Sequence, residues 1–396
     1  MPTNQSLIPI LILSLAILPL FFLQEEFIDA IVVGIDHCPM LSCDFQRHYL
    51  PQVEKLVLKE NGFVNGWFYP PLLAILLIPF HAFPNPEISW SFFLVGFSVA
   101  LAYTSHKYSK GVFSISTVFL LICISLPVIH CFKWGQISIL IALGLIIALN
   151  TQGYFAGFIL GFLGAIKLYP LVFVLPFLLQ KRHQEFVAMI GSFLLFAVAI
   201  PLLMMPLEHV LAYYENTLVA SQRIQQVAAG LGGQAITPTA TRWFEDGSYG
   251  ERVMFGGLIA NIPFIASLLP LGILIPSLWM LHKAPKSPYV PVITLLTLSL
   301  VLAPGWEHYF CFLPYCWLVL YSNGSTYSRG ILVVLLLLQY LPISHLFGFG
   351  VSFFTYAQWG GSTFMMLTML SVTVYLQLRH IKENGGQIEE DRSNLL

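Results

Sequence analysis

Residues 154–180 read YFAGFILGFLGAIKLYPLVFVLPFLLQ, an apolar run holding one charge, Lys167, near its middle. A helix that crosses hydrocarbon needs about 20 apolar residues at about 1.5 Å each. The run is too long for one such helix. Tyr169-Pro170 also follows Lys167 closely, and proline removes an intrahelical hydrogen bond. A hairpin of two short helices meeting at Lys167 fits better. Lys167 then has two readings: a snorkelling side chain, or a cation that binds phosphate.

The rest of the chain agrees with a bilayer setting. Of 396 residues, 57% are hydrophobic and 9% charged, with mean hydropathy +0.79. A soluble domain carries about 25% charged residues. The net charge of −1 speaks against nucleic acid as a partner. Apolar runs lie near 7–23, 70–83, 88–105, 112–131, 136–150, 154–180, 186–206, 255–281, 289–304, 306–321, 330–347 and 360–378. The first lacks basic residues before it and a small-residue cleavage site after it, so it reads as a retained helix.

Basic residues mark the cytoplasmic side. They fall in HKYSKG (106–111), KRH (181–183), HKAPK (282–286), the Arg329 loop and RHIK (379–382). With these and the N-terminus inside, parity closes if 70–83 does not cross and 154–180 crosses twice. The expectation is an all-α polytopic protein of about 12 spans. Residues 1–378 form one transmembrane domain and 379–396 a polar cytoplasmic tail. Loops 24–87 and 207–254 then face outward, together with KWGQ (133–136), Lys167 and GWEH (305–308). Charges at membrane depth are expensive and usually functional, so this face is the place to look for a site.

In LSCDFQRHYLP (41–51), Asp44 reads either as the cap of a short interfacial helix or as a general base at the membrane surface. Asp36 is a reserve base. Arg47 and His48 are candidates to hold phosphate or sugar, and Phe45 and Tyr49 to anchor the loop in the interface. Tyr69 lies in NGWFYPPLL (65–73), an aromatic, proline-rigid segment suited to the interface. Gln136 either lines a polar cavity or caps a helix. Gln234 lies in a glycine-rich stretch able to wrap a ligand, and Arg242 offers a phosphate fork beside Trp243. Glu307 and His308 open a span, where they read either as solvated helix-end residues or as part of the site.

Six cysteines match no zinc spacing. Cys38 and Cys43 share a polar loop, as a disulfide if it faces an oxidising compartment or as two thiols. The other four read as small buried hydrophobes. No H-E-x-x-H, G-x-S-x-G or nucleoside-triphosphate motif is present, and neither a cofactor nor a metal is expected. An acid, cations and aromatics around a lipid-facing cavity suit transfer from a lipid-linked phosphate donor. The cations would stabilise the leaving phosphate as it gains charge.

The order DFQRHY (44–49), FYPPL (68–72), GQIS (135–138) and GAIKLYP (164–170) resembles glycosyltransferase family 87, also known as domain-of-unknown-function family 2029. GGQAITPTATR (232–242) is similar to a Gly-Asn-Gln-Ser-Leu…Arg segment of that family, and GWEHYFCFLP (305–314) to its Trp-x-His segment. The resemblance implies a GT-C fold with interfacial helices in the first outer loop. It implies a multi-pass protein of the cell (inner or plasma) membrane whose active site is extracytoplasmic. The implied reaction is inverting transfer of a sugar, commonly mannose, from a polyprenyl-phosphate donor to a lipid or glycan acceptor. Asp44 would be the base, with Lys167, Arg242 and His308 near the donor phosphate. Two departures touch donor or acceptor specificity: His48-Tyr49 replaces a second tyrosine after the DF motif, and Gly233 stands in the asparagine place. The rival readings are a secondary transporter, a lipid-linked glycan flippase or ligase, and a structural membrane subunit. The one-sided grouping of polar residues and the lack of an internal repeat disfavour transport.

Overall fold

The computed structural model describes residues 42–60, 62–64, 66–227, 233–244, 262–302, 305–339, 342 and 353–393. The 7–23 run, Asp36 and Cys38 lie outside them. Among the described residues the chain is helical, and its one extended pairing is an isolated antiparallel bridge between Gly233 and Trp306.

A π-turn, Phe45–Tyr49, leads into α1 (Leu50–Val57). There follow α2 (Pro71–His81), α3 (Pro86–Tyr108), α4 (Ile115–Cys123), α5 (Leu126–Trp134), α6 (Ser138–Asn150) and α7 (Tyr154–Ile166). After a 3-10 turn, Tyr169–Val174, come α8 (Leu175–Leu179), α9 (His183–Leu194), α10 (Ile200–Leu202), α11 (Leu207–Val227) and α12 (Ile236–Phe244). The last part holds α13 (Ile262–Lys283), α14 (Val290–Val301), a 3-10 turn (Glu307–Phe310), α15 (Leu313–Asn323), α16 (Thr326–Gln339), α17 (Phe353–Gln358) and α18 (Gly361–Ser393).

By length and composition, three described helices can cross a membrane: Pro86–Tyr108, His183–Leu202 and Gly361–Glu383. A fourth is added if α4 and α5, bent by 60°, count as one broken span. The 112–131 run is therefore interrupted, and Pro127 near the start of α5 fits that break. Several other apolar helices have 10–17 residues. The 154–180 run does break at Lys167, whose backbone is extended (φ −139°, ψ 137°). Its first half packs tightly against α9. A Cβ added at Gly157 would stand 2.0 Å from the Glu185 carbonyl oxygen, and one at Gly161 2.3 Å from that of Met189. Small residues are what let helix backbones approach this closely.

Several contacts join the basic segments to neighbouring helix ends. Lys110 Nζ donates to Asn323 Oδ1 at 2.7 Å, joining the 106–111 segment to the end of α15. Ser287 Oγ donates to Gln377 Oε1, and the Tyr289 and His380 rings lie 6.3 Å apart. The 379–396 tail is no separate loop at its start, because α18 runs on through Ser393. One apolar core extends from Phe45 to Leu376.

Candidate active site

Gly135 ends α5 in the left-handed conformation (φ 66°), a common role for glycine. A Cβ there would meet Ser42 Cβ and Phe45 Cβ, both at 2.8 Å. The π-turn can therefore lie directly against this corner. Trp90 of α3 fastens the two together: its indole donates to the Gly135 carbonyl at 2.8 Å, and its ring stacks on Phe45 at 5.0 Å. The next residue, Gln136, is fully buried.

Gln136 forms the hub. Its Nε2 donates to Asp44 Oδ2. Its Oε1 accepts from Tyr49 Oη at 3.0 Å, Tyr69 Oη at 3.2 Å and Lys167 Nζ at 3.0 Å. Gln136 does not cap α6, whose cap position is Ile137; its side chain joins a buried polar cluster instead. The capping role for Asp44 is not seen: its backbone is already helical and its side chain makes no cap bond. The Asp44 side chain keeps 15% of its exposure, and His48 Nε2 lies 3.9 Å from Oδ1.

Lys167 is 5% exposed, held over the rings of Tyr69 (5.0 Å) and Tyr309 (4.8 Å). Among the described residues no carboxylate stands within ion-pair distance of it. A buried ammonium is costly, and the Asp44 carboxylate, joined to it through Gln136, supplies part of the opposing charge. Beside it, His308 is 2% exposed, and neither of its ring nitrogens has a hydrogen-bond partner among the described residues.

A neighbouring layer holds Gln234 and Arg242. Gln234 N donates to the Gly305 carbonyl at 2.8 Å, and Gln234 Nε2 to that of Ala357 at 3.0 Å. Arg242 donates to the carbonyls of Gly233 and Ala357 and to the Thr239 hydroxyl. Its guanidinium thus ties the 233–239 segment to Ala357, and that segment in turn pairs with Gly305 and Trp306. Glu307 is fully buried, with Ser362 Oγ 2.8 Å from each carboxyl oxygen. Burial raises its pKa from 4.5 to about 7, against the opposing effect of the Ser362 hydrogen bond.

The structure therefore gathers Asp44, His48, Tyr69, Gln136, Lys167 and His308, and sets Gln234 and Arg242 behind them. Arg47 is exposed on the π-turn. Sequence reading missed Tyr309 as a ring over Lys167 and Glu307 as a buried carboxyl. It also took Tyr49 for an interface anchor, whereas its hydroxyl is buried against Gln136. Tyr309 had a signal, adjacency to His308; Glu307 had none, since a turn residue gives no sign of its burial. Cys43 is disulfide-bonded, while Cys123, Cys131, Cys311 and Cys316 are free and buried. No group of three or more His, Cys, Asp or Glu that could hold a metal ion occurs among the described residues.

No curated protein and no solved structure gives a significant match to the chain. The sequence model of Glycosyltransferase family 87 matches residues 67–304, which include Tyr69, Gln136, Lys167, Gln234 and Arg242. Asp44 and His308 lie just beyond the two ends of the match, and the fold brings both back to its centre. The chain belongs to glycosyltransferase family 87.

Proposed function

We propose that this glycosyltransferase moves a sugar, mannose by family resemblance, from a polyprenyl-phosphate donor to a hydroxyl of a lipid or glycan acceptor. The observation that carries the proposal is the line Asp44–Gln136–Lys167. One buried amide holds a partly exposed carboxylate at its nitrogen and a buried ammonium at its oxygen. Asp44 takes the acceptor proton, and the acceptor oxygen attacks the anomeric carbon. The bond from that carbon to the phosphate oxygen breaks, and the electron pair leaves with polyprenyl phosphate. Lys167 and His308 receive the charge that develops there. Attack opposite the leaving group inverts the anomeric centre.

The site lies on the extracytoplasmic face of a GT-C-type plasma-membrane bundle of about 12 spans. The disulfide at Cys43, next to the base, supports that side, because disulfides persist in oxidising compartments. Gln234 and Arg242 serve the donor site by holding the 305–310 turn in place.

The test is sugar transfer from radiolabelled polyprenyl-phosphate-mannose to membrane lipid and glycan acceptors, comparing wild type with Asp44→Asn. A loss of at least about a hundredfold, in a variant that inserts normally, is expected for a general base. Equal activity would remove Asp44 from that role and bring Asp36 forward. No product from any polyprenyl-phosphate sugar would sink the donor assignment.

A further inference from the structure

His130 of α5 has no part in the reaction as described above, yet it is 4% exposed and lies against the donor end of the site. Its ring is parallel to that of His308, at 5.5 Å and 14°. Two other rings meet His308 edge-on: Trp306 at 5.5 Å and 76°, and Tyr309 at 4.8 Å and 84°. Tyr309 is also a ring over which Lys167 sits. Aromatic neighbours thus hold His308 by a face and by its edges. Its two nitrogens are buried and have no partner among the described residues, so they are open to a hydrogen-bonding group such as a ligand phosphate.

The state of His130 follows from its neighbour. The Trp134 indole donates to His130 Nε2 at 3.2 Å. Indole is a donor only, so Nε2 must keep its lone pair. His130 is therefore a neutral ring with its proton on Nδ1. A protonated His130 would give up the Trp134 bond and set a second charge against an imidazole that interacts with an anion.

We propose that His130 is a positioning residue for donor binding. Locked neutral by Trp134, it stacks on His308 and aims the His308 nitrogens at the phosphate held by Lys167. The inference rests on the donor-phosphate reading above and extends it to a residue that touches neither substrate.

The probe is undecaprenyl phosphate, binding to the full-length protein in detergent, followed by the shift in thermal unfolding midpoint across a titration. Donor and acceptor KM are measured in parallel. His308→Ala is expected to weaken binding at least tenfold. His130→Ala is expected to do the same with acceptor KM unchanged, and His130→Phe, which keeps a stacked ring, to stay within about threefold of wild type. If wild type does not bind the probe, or His308→Ala binds it as wild type does, the donor-phosphate reading itself fails. If His308→Ala weakens binding and His130→Ala does not, only the positioning role is overturned. That role is overturned as well if the alanine and phenylalanine variants of His130 are equally impaired, or if donor and acceptor KM rise together.

Discussion

At the scale of single residues, the site depends on a few buried polar groups whose partners are specific. Lys167→Met keeps the length and removes the charge. Donor KM is expected to rise at least tenfold while acceptor KM stays put, and equal effects on both would detach Lys167 from the donor. Glu307 offers a pH test. Its folded pKa, about 7, lies above the ordinary 4.5, so the folded state holds the proton more tightly across that interval. Stability must therefore fall as pH rises from about 4.5 to about 7 and remain reduced above it. Glu307→Gln removes this dependence. Between pH 5 and pH 8 the wild-type unfolding midpoint is expected to drop further than the variant's, and parallel curves would contradict the buried, neutral acid. Lys167 stood out in the sequence as the one charge of an apolar run, whereas Asp44 and Gln136 stood out as polar residues of segments facing outward with it. Glu307 and His130 were not legible, because their roles come from neighbours more than fifty residues distant, Ser362 for the one and His308 for the other.

Two elements meet at glycines, and those contacts decide where the polar groups point. Gly135→Ala would strain a left-handed corner and push Ser42 and Phe45 away from it. Gln136 would move relative to Asp44, so transfer activity is expected to fall at least tenfold. An active Gly135→Ala protein would show that the corner tolerates displacement. Gly157→Val sets a branched side chain against the α9 backbone and is expected to cost roughly 2 kcal/mol of stability. Gly191→Ala, with open space at its Cβ position, should be neutral in the same unfolding assay. The break at Lys167 was readable from one charge and one proline inside an apolar run. The bend between α4 and α5 was not, although Ser125-Leu126-Pro127 lies at that point, because apolar composition alone gives one continuous run from 112 to 131. Hydropathy reports burial well and helix continuity poorly.

For the whole molecule, the sidedness inferred from basic loops can be checked directly. Arg47, Lys110 and Arg329 are all exposed, and the four free native thiols are buried. A membrane-impermeant maleimide should label Arg47→Cys on intact cells, and Lys110→Cys or Arg329→Cys only after the cytoplasmic face is opened. Labelling of all three from one side would overturn the topology. Helical class and family were open to reading from composition and motif order. The order of the motifs did not convey their convergence: residues 44 and 308 lie outside the matched region on either side, and only folding brings both toward Lys167.

The amide at the centre also acts as an insulator. A glutamate at position 136 would be drawn to Lys167 as an ion pair and would repel Asp44, discharging the site before any substrate arrived. Glutamine has the same shape and no charge. It keeps one positive and one negative group apart, as a dielectric keeps the plates of a capacitor from shorting. Under the proposed reaction, a donor phosphate and an acceptor hydroxyl would enter a field that is already set up, and the chain would not need to reorganise to create it at the moment of transfer.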